Sequence, residues 1–185
     1  MEIRHLNEMK EVLYDQKWAK NAPNFALYYM YRAVKKKSGL RYNITVIPPR
    51  MLGNEFVKTK GHDHLGKFKE LYTVLRGEAI YLFQKCKKDK VLDVYAIKAK
   101  KGESALVPAR YGHITINPAK QELKEADWAV EDCKNVYGFI EKMKGMCYYY
   151  TKNGWLKNKN YQKVPKLRFK KPLKTVPEDL SFLKG

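Results

Sequence analysis

Apolar and polar residues alternate in short runs along most of the chain, and this pattern predicts strands. The clearest run is 69–75, where Glu70, Tyr72 and Val74 share one face. Further strands are predicted at 25–34, 42–47, 55–64, 79–84, 91–97, 104–108, 113–117, 127–131, 139–143 and 146–152. Short strands separated by turn signals at intervals of about 8–12 residues favour a sandwich or barrel. The sequence therefore predicts a mainly β fold.

The two ends of the chain have a different pattern. Residues 6–19 carry apolar side chains near helical spacing and predict one short amphipathic helix. Residues 157–185 contain three prolines and nine Lys or Arg against two acidic residues, which predicts an extended arm lying on the domain or on a partner subunit. We expect a single domain over 1–185, with a helical segment at 1–24, a barrel at 25–156 and the basic arm at 157–185.

Composition narrows the class of protein. The net charge of +19 comes from lysines spread along the whole chain, so nucleic-acid binding is the weaker explanation and a Lys-rich surface the stronger. The three cysteines form no Cys-x-x-Cys motif, the N-terminus is polar, and no apolar stretch is long enough to span a bilayer. We expect a cytoplasmic protein without membrane contact, and a homodimer because long sheet edges favour pairing.

The chemistry-bearing residues are concentrated. Of four histidines, His62 and His64 are two residues apart, so on a strand they project to the same side. The next strand begins at Glu70, and His113 opens a later strand that a barrel returns to the same cavity. Three imidazoles and one carboxylate suit one divalent first-row metal ion, Fe, Mn, Ni, Co or Zn. Four protein ligands leave two positions of an octahedral ion for water or substrate.

The spacing of glycines around these ligands resembles the two-block cupin signature. In the first block six residues separate Glu70 from Gly77, and in the second His113 follows Gly102 and Pro108 and precedes Asn117. Closer still is the likeness to archaeal cupin-type phosphoglucose isomerases. It rests on residues 59–64 (Thr-Lys-Gly-His-Asp-His), 70–77 (Glu-Leu-Tyr-Thr-Val-Leu-Arg-Gly), 45–49 (Thr-Val-Ile-Pro-Pro) and 137–138 (Tyr-Gly).

This resemblance implies a cupin fold, a double-stranded β-helix or jelly-roll barrel, with a metal held by His62, His64, Glu70 and His113. It also implies sugar-phosphate contacts from Thr45, Thr59, Gly61, Tyr72 and Tyr137. We add Arg110 to the substrate set, as a cation where the family has an aromatic residue. Asn135 or Val136 stands where the family has a histidine.

The function implied is a metal-dependent aldose–ketose isomerase, acting on glucose 6-phosphate and fructose 6-phosphate. Glu70 would either remain a ligand or act as general base through an enediol, and a hydride shift would need no base. Tyr72 would orient the base, donate to a sugar oxygen, or serve only as an inward-facing core residue. The alternatives are another activity at the same metal, such as an epimerase or dioxygenase, a non-catalytic sugar-binding cupin, and basic nucleic-acid binding.

Overall fold

Two mainly antiparallel sheets face each other across the core of the computed structural model, which describes residues 1–185. The first has six strands, in the order β1 (Glu2–His5), β2 (Ala26–Lys37), β3 (Leu40–Ile47), β12 (Leu123–Val130), β7 (Glu70–Arg76) and β10 (Ser104–Val107). The second has β11 (Gly112–Ile116), β8 (Glu78–Lys87), β9 (Lys90–Lys100) and β16 (Arg168–Lys170). The mainly β prediction is confirmed.

Two small sheets and a few short helices complete the fold. One small sheet pairs β6 (Asp63–His64) with β13 (Asn135–Val136), and the other joins β15 (Gly154–Lys157), β14 (Tyr148–Thr151), β5 (Glu55–Phe56) and β4 (Met51–Leu52). The helices are α1 (Gln16–Asn21), α2 (Gly138–Lys142) and three 3₁₀ turns at Leu6–Glu8, Lys10–Val12 and Ser181–Lys184. No helix combines the length and apolar character needed to cross a membrane.

The strand order is that of a jelly roll, the architecture of cupins. The late strand β12 lies between the early strands β3 and β7, so chain-distant segments are neighbours in the sheet, as Greek-key connections require. The core lies between the sheets and is filled by fully buried side chains such as Val74, Tyr81, Phe83 and Ile114. No ladder joins the two large sheets into one closed cylinder, so the predicted barrel is a sandwich-like jelly roll.

Three predicted elements were wrong. Residues 6–19 do not form one helix. Leu6, Met9 and Val12 are fully buried at spacings of three, and this period suits successive 3₁₀ turns. The α1 helix begins only after Asp15, whose carboxylate accepts a hydrogen bond from the Trp18 N–H at 3.0 Å.

The second error is residues 139–143, which lie in and just after α2 and not in a strand. Ile140 and Met143 are buried three residues apart, a helical and not an alternating pattern. The third is residues 55–64, which form two short strands and not one. Between them Gly61 adopts φ +83°, and Lys58 and His62 each form a single bridge to β11.

The basic tail packs on the domain. Strand β16 pairs in parallel with β9, and Leu173 exchanges two backbone hydrogen bonds with Ser104, at 2.9 and 2.8 Å. The last turn, Ser181–Lys184, lies over the outer face of the six-stranded sheet, where Leu183 is fully buried against Leu40 and Leu71. The tail thus covers apolar surface that the sheet would otherwise expose.

Candidate functional site

Strands from opposite sheets bring the four predicted metal ligands together. Glu70 opens β7 in the first sheet, and His113 lies on β11 in the second, both pointing into the space between the sheets. His62 is held by two backbone hydrogen bonds to His113, at 3.3 and 3.1 Å, and His64 lies on β6. Backbone pairing therefore positions all four residues.

The distances between ligand atoms suit a single ion. The Oε2 atom of Glu70 lies 3.1 Å from Nε2 of His64, 3.1 Å from Nε2 of His113 and 3.9 Å from Nε2 of His62. The two Nε2 atoms of His62 and His64 are 3.2 Å apart, and all four ligand atoms lie within 4.8 Å of one another. Bonds of about 2.1 Å to a central ion put adjacent ligands about 3.0–3.4 Å apart.

The protonation of the cluster also fits a metal site. Burial raises the pKa of Glu70, but the imidazoles of His113 and His64 beside the carboxylate bring it well below its usual value, so the carboxylate is ionised. Burial, followed by the neighbouring His113, lowers the pKa of His62 well below 6.5, and its imidazole is neutral. Burial lowers the pKa of His64, whereas the neighbouring Cys133 and Glu70 raise it to about 10. A bound cation would displace that proton.

One buried atom, Oε2 of Glu70, is independent evidence for a metal site. Oε2 of Glu70 is inaccessible to solvent and has no hydrogen bond of good geometry, although imidazole nitrogens surround it. A buried ionised oxygen without a partner is unfavourable unless a cation satisfies it. The donor set of three imidazoles and one carboxylate fits a divalent first-row ion.

A groove of about 390 Å³, counting the space open to solvent, adjoins the cluster. Five of the residues implied for substrate binding line it together with His62: Thr45, Thr59, Gly61, Tyr72 and Tyr137. The Tyr72 hydroxyl lies 3.4 Å from Nε2 of His113, which places this side chain between the ligand cluster and the groove. Burial raises the pKa of Tyr72 well above 10, so the hydroxyl stays protonated.

The wall of the groove at Thr59 and Gly61 is built by pairing with β11. Thr59 donates its N–H to the carbonyl of Thr115 at 2.8 Å, and its Oγ1 accepts from the Thr115 N–H at 3.0 Å. Gly61 has no room for a side chain, because a Cβ would lie 2.5 Å from Cγ2 of Ile114. The positive φ and this close packing explain a glycine directly before His62.

Arg110 is not brought to the groove. It is exposed at a turn with φ +65° and lines a separate depression with Asp63, Cys86 and Phe139. Asn135, which stands where the resemblance implies a histidine, lines the groove and pairs with His64 across β13 and β6.

Several residues of the groove had not been predicted. Glu125 and Asp127 project inward from β12, and Arg32 lines the groove from an irregular part of β2. The sequence could have indicated Glu125, because it lies two residues before Asp127 and residues two apart on a strand share a face. The prediction began that strand at 127 and so left out residue 125.

Asn43 connects this irregularity to the acidic residues. Its Oδ1 accepts a hydrogen bond from the N–H of Ala33, which has φ +50° in the bulge of β2, and its Nδ2 donates to Asp127. Bulges commonly redirect side chains beside functional sites, and this one turns Arg32 toward the groove.

The mouth of the groove is cationic and aromatic. Nζ of Lys60 lies 5.6 Å from the ring centre of Tyr137 and pairs with Glu141 at 2.6 Å. Cζ of Arg4, on β1, lies 5.9 Å from the same ring. Arg4 also pairs with Glu8 at 2.7 Å, so an anionic group at the entrance would share these cations with Glu8 and Glu141.

The family model and the curated relatives that match this chain belong to the same family. The family model "Glucose-6-phosphate isomerase (GPI)" matches residues 6–166. Glucose-6-phosphate isomerases from Pyrococcus abyssi (strain GE5 / Orsay) and Thermococcus litoralis are 30% and 31% identical over 121 residues. Each match covers 62% of this chain and 62% of the relative, so the matched region spans less than two thirds of these curated proteins.

Solved structures share part of the architecture at low identity. Oxalate oxidase in complex with the substrate analogue glycolate is 15% identical, with a TM-score of 0.46, covering 60% of this chain and 54% of that one. A cupin superfamily protein from Desulfitobacterium hafniense DCB-2 is 16% identical, with a TM-score of 0.38, covering 57% and 78%.

Proposed function

The chain belongs to the glucose-6-phosphate isomerase family, and we propose that it is a metal-dependent aldose–ketose isomerase that interconverts glucose 6-phosphate and fructose 6-phosphate. The observation that carries the proposal is the position of the His62, His64, Glu70 and His113 cluster beside a groove lined by hydroxyl groups. Aldose–ketose isomerisation moves hydrogen between two adjacent carbons, and it needs polar groups at both of their oxygens.

The four ligand residues would hold one divalent first-row ion, Fe, Mn, Ni, Co or Zn. Such an ion supplies Lewis-acid polarisation of a carbonyl oxygen. The unpartnered Oε2 of Glu70 is the strongest support for this role of the cluster. The burial of Glu70 and His113, at 5% and 2% exposure, keeps bulk water away from the reacting carbons.

Glu70 and Tyr72 are the proposed catalytic residues. Glu70 is ionised, and its carboxylate can accept a proton from a carbon next to a carbonyl. Tyr72 lies on the same inward face of β7 and keeps its hydroxyl proton, so it can donate a hydrogen bond to a sugar oxygen beside Glu70. The two side chains thus supply one acceptor and one donor at adjacent positions.

The phosphate end of the substrate is proposed to lie along the wall formed by Thr59 and Gly61, toward Tyr137. Hydroxyl groups, a backbone N–H of a glycine in the left-handed region and a phenol are common phosphate donors. The cations Arg4 and Lys60 at the mouth support this direction, because they attract a dianionic group to that side. Thr45 is proposed to contact the sugar from β3.

A homodimer is also proposed, and light scattering of the purified protein tests it. The long strand edges support this proposal, because they favour pairing of two copies. A mass equal to one chain at micromolar concentration would overturn the proposal.

The test of the function is an assay of glucose 6-phosphate formation from fructose 6-phosphate, with metal content measured on the same sample. We expect near-stoichiometric first-row metal, loss of turnover on chelation and recovery on adding the metal back. Metal-replete protein that binds fructose 6-phosphate without converting it would make the chain a sugar-binding cupin. Turnover that is unchanged after complete metal removal would overturn the metal-dependent mechanism.

A further inference from the structure

Glu125 is a buried carboxylic acid in the wall of the groove. It is 1% exposed and lies on the inner face of β12, between Thr45 of β3 and Val74 of β7 in the strand register. Its side chain therefore points away from solvent and into the space between the two sheets. It is also one of the residues that line the groove beside Tyr72.

Tyr81 and Thr115 lie close enough to the carboxyl group of Glu125 to affect its pKa, but neither forms a hydrogen bond of good geometry with it. Both Oε1 and Oε2 are buried without a hydrogen bond of good geometry, and the facing hydroxyl of Tyr81 is unpartnered as well. Asp127, two residues along the same face, differs because Asn43 donates to it at 2.6 Å. An unpaired buried polar group lowers stability, so a folded chain that keeps one usually uses it for binding or catalysis.

The surroundings keep this carboxyl uncharged near neutral pH. Burial raises the pKa of Glu125 to about 8, an effect opposed by Tyr81 of β8 and Thr115 of β11 and reinforced by the charge of Glu70. The other titratable groups that face it are Tyr72 of β7 and Asp127 of β12. A neutral carboxyl can donate one hydrogen bond and accept others, which is the pattern that a sugar hydroxyl requires.

We propose that Glu125 is a substrate-contacting residue that hydrogen-bonds a hydroxyl of the sugar chain and so makes the groove selective for a polyhydroxylated substrate. The inference rests on the proposed function, because it deepens the specificity of the same site. The phosphate is proposed to lie at the other end of the substrate, near Lys60, because the cation there attracts a dianionic group.

Binding and stability measured on the same variants test this role. Glu125→Leu removes both hydrogen-bonding atoms and replaces the carboxyl side chain by a slightly shorter apolar one. Glu125→Gln keeps a donor and an acceptor without a titrating proton. The matched control is Glu78→Gln, at the accessible first residue of β8, where Glu78 pairs with Lys98 at the surface. The probe is glucitol 6-phosphate, an open-chain polyol phosphate, titrated into the metal-replete protein by calorimetry.

We expect Glu125→Leu to weaken binding about tenfold or more and to melt at the same or a higher temperature, because a buried polar group without a partner has been removed. Glu125→Gln should bind within about threefold of the wild type at pH 7. Between pH 7 and pH 9 the wild-type Kd should rise, because the carboxyl loses its donor proton and gains a charge, whereas the Kd of Glu125→Gln should rise less.

Three results would overturn the proposal. The first is an unchanged Kd for Glu125→Leu. The second is an equal dependence of Kd on pH for the wild type and for Glu125→Gln. This comparison tests the proposal even if Glu125→Leu does not fold. The third is the absence of any binding to the wild type, which would remove the proposed function as well. Binding without turnover by the wild type would remove only the isomerase activity.

Discussion

Asn43 donates a hydrogen bond of 2.6 Å from its Nδ2 atom to Oδ2 of Asp127, and both side chains are buried on neighbouring strands of the six-stranded sheet. The same amide accepts from the Ala33 N–H in the bulge of β2. One side chain therefore holds both the bulge and a carboxyl group that lies beside Glu70.

Replacing Asn43 by Ala should lower the free energy of unfolding by about 2–3 kcal/mol, because a buried carboxyl and a backbone N–H both lose their partner. Chemical denaturation measures the change. Asn21→Ala is the matched control, since Asn21 is exposed and donates only to the Lys17 carbonyl at 3.0 Å. A loss for Asn43→Ala no larger than for the control would contradict the structural role assigned to the amide.

The metal prediction uses the fourth histidine as its control. His64→Ala should abolish stoichiometric metal and isomerase activity, whereas His5→Ala should retain both, because the His5 side chain is 44% exposed on β1 and away from the cluster. Chelation should lower the melting temperature of the wild type and of His5→Ala. Removing the metal should lower the free energy of unfolding by about 2.7 kcal/mol, relative to protein with free metal at a hundred times its Kd.

Elemental analysis and thermal melting measure these effects. Metal retained in full by His64→Ala would exclude the four-residue site. A chelator that lowers the melting temperature of His64→Ala as far as that of the wild type would place the stabilising metal elsewhere.

The sequence predicted most strands because short apolar and aromatic runs lie between turn signals. On β8, for example, the six successive residues 79–84 are all buried. It predicted the cluster of His62, His64, Glu70 and His113 because imidazole is rare in this chain and concentrated in two blocks. Strand β12 was predicted too short. There Glu125 and Asp127 face the core while Trp128 faces outward, so the pattern of polar and apolar residues is reversed. Polar residues that face the core produce this reversal, and periodicity alone assigns such a face to solvent.

The route from Phe56 to Asp63 could not be read from the sequence for a different reason. Its path depends on long-range bridges from Lys58 and His62 to β11, about fifty residues away in the chain. The strand propensities of neighbouring residues do not reveal such contacts. The position of Arg110 depends likewise on tertiary packing. The turn at 108–112 directs it away from the groove, although His113 lies only three residues further on.

Arg110 and Tyr137 provide a direct test of which residues contact substrate. Tyr137→Phe should raise the KM for fructose 6-phosphate about fivefold to tenfold, because it removes a donor in the groove. Arg110→Ala should change the KM less than twofold, since its side chain lines a different depression. Steady-state kinetics on both variants decide this, and a larger effect of Arg110→Ala would return this residue to the substrate site.

A pair of glycine variants separates backbone strain from steric contact. Gly61→Ala and Gly154→Ala both place a side chain at positive φ, but a Cβ at Gly154 meets nothing within 4 Å, whereas at Gly61 it meets Ile114 at 2.5 Å. Each should lose about 1–2 kcal/mol of stability to strain. Gly61→Ala should lose about 1–3 kcal/mol more to overpacking, and it should also weaken sugar-phosphate binding.

Denaturant unfolding and calorimetric titration compare the two variants. Equal stabilities, with equal affinities for the sugar phosphate, would show that Ile114 yields to the added methyl group and that Gly61 has no special role in the wall of the groove.

The last prediction concerns a buried ion pair beside the small sheet. Lys58 and Glu55 are 2% and 1% exposed in their side chains and contact each other. Lys58 also donates to the Val12 carbonyl at 2.9 Å, and Glu55 accepts from the Tyr14 N–H at 2.8 Å. The pair therefore links β5 and the residues just after it to the end of the 3₁₀ turn Lys10–Val12 and to Tyr14.

Lys58→Met should lower the free energy of unfolding by about 3–5 kcal/mol, because it leaves a buried carboxylate without its counter-ion. Burial already raises the pKa of Glu55, and loss of Lys58 removes the main group that lowers it. The double variant Glu55→Gln with Lys58→Met should recover most of the loss. A double variant as unstable as Lys58→Met would show that Lys58 acts through its packing on Tyr149, 4.9 Å from the ring centre, and not through its charge.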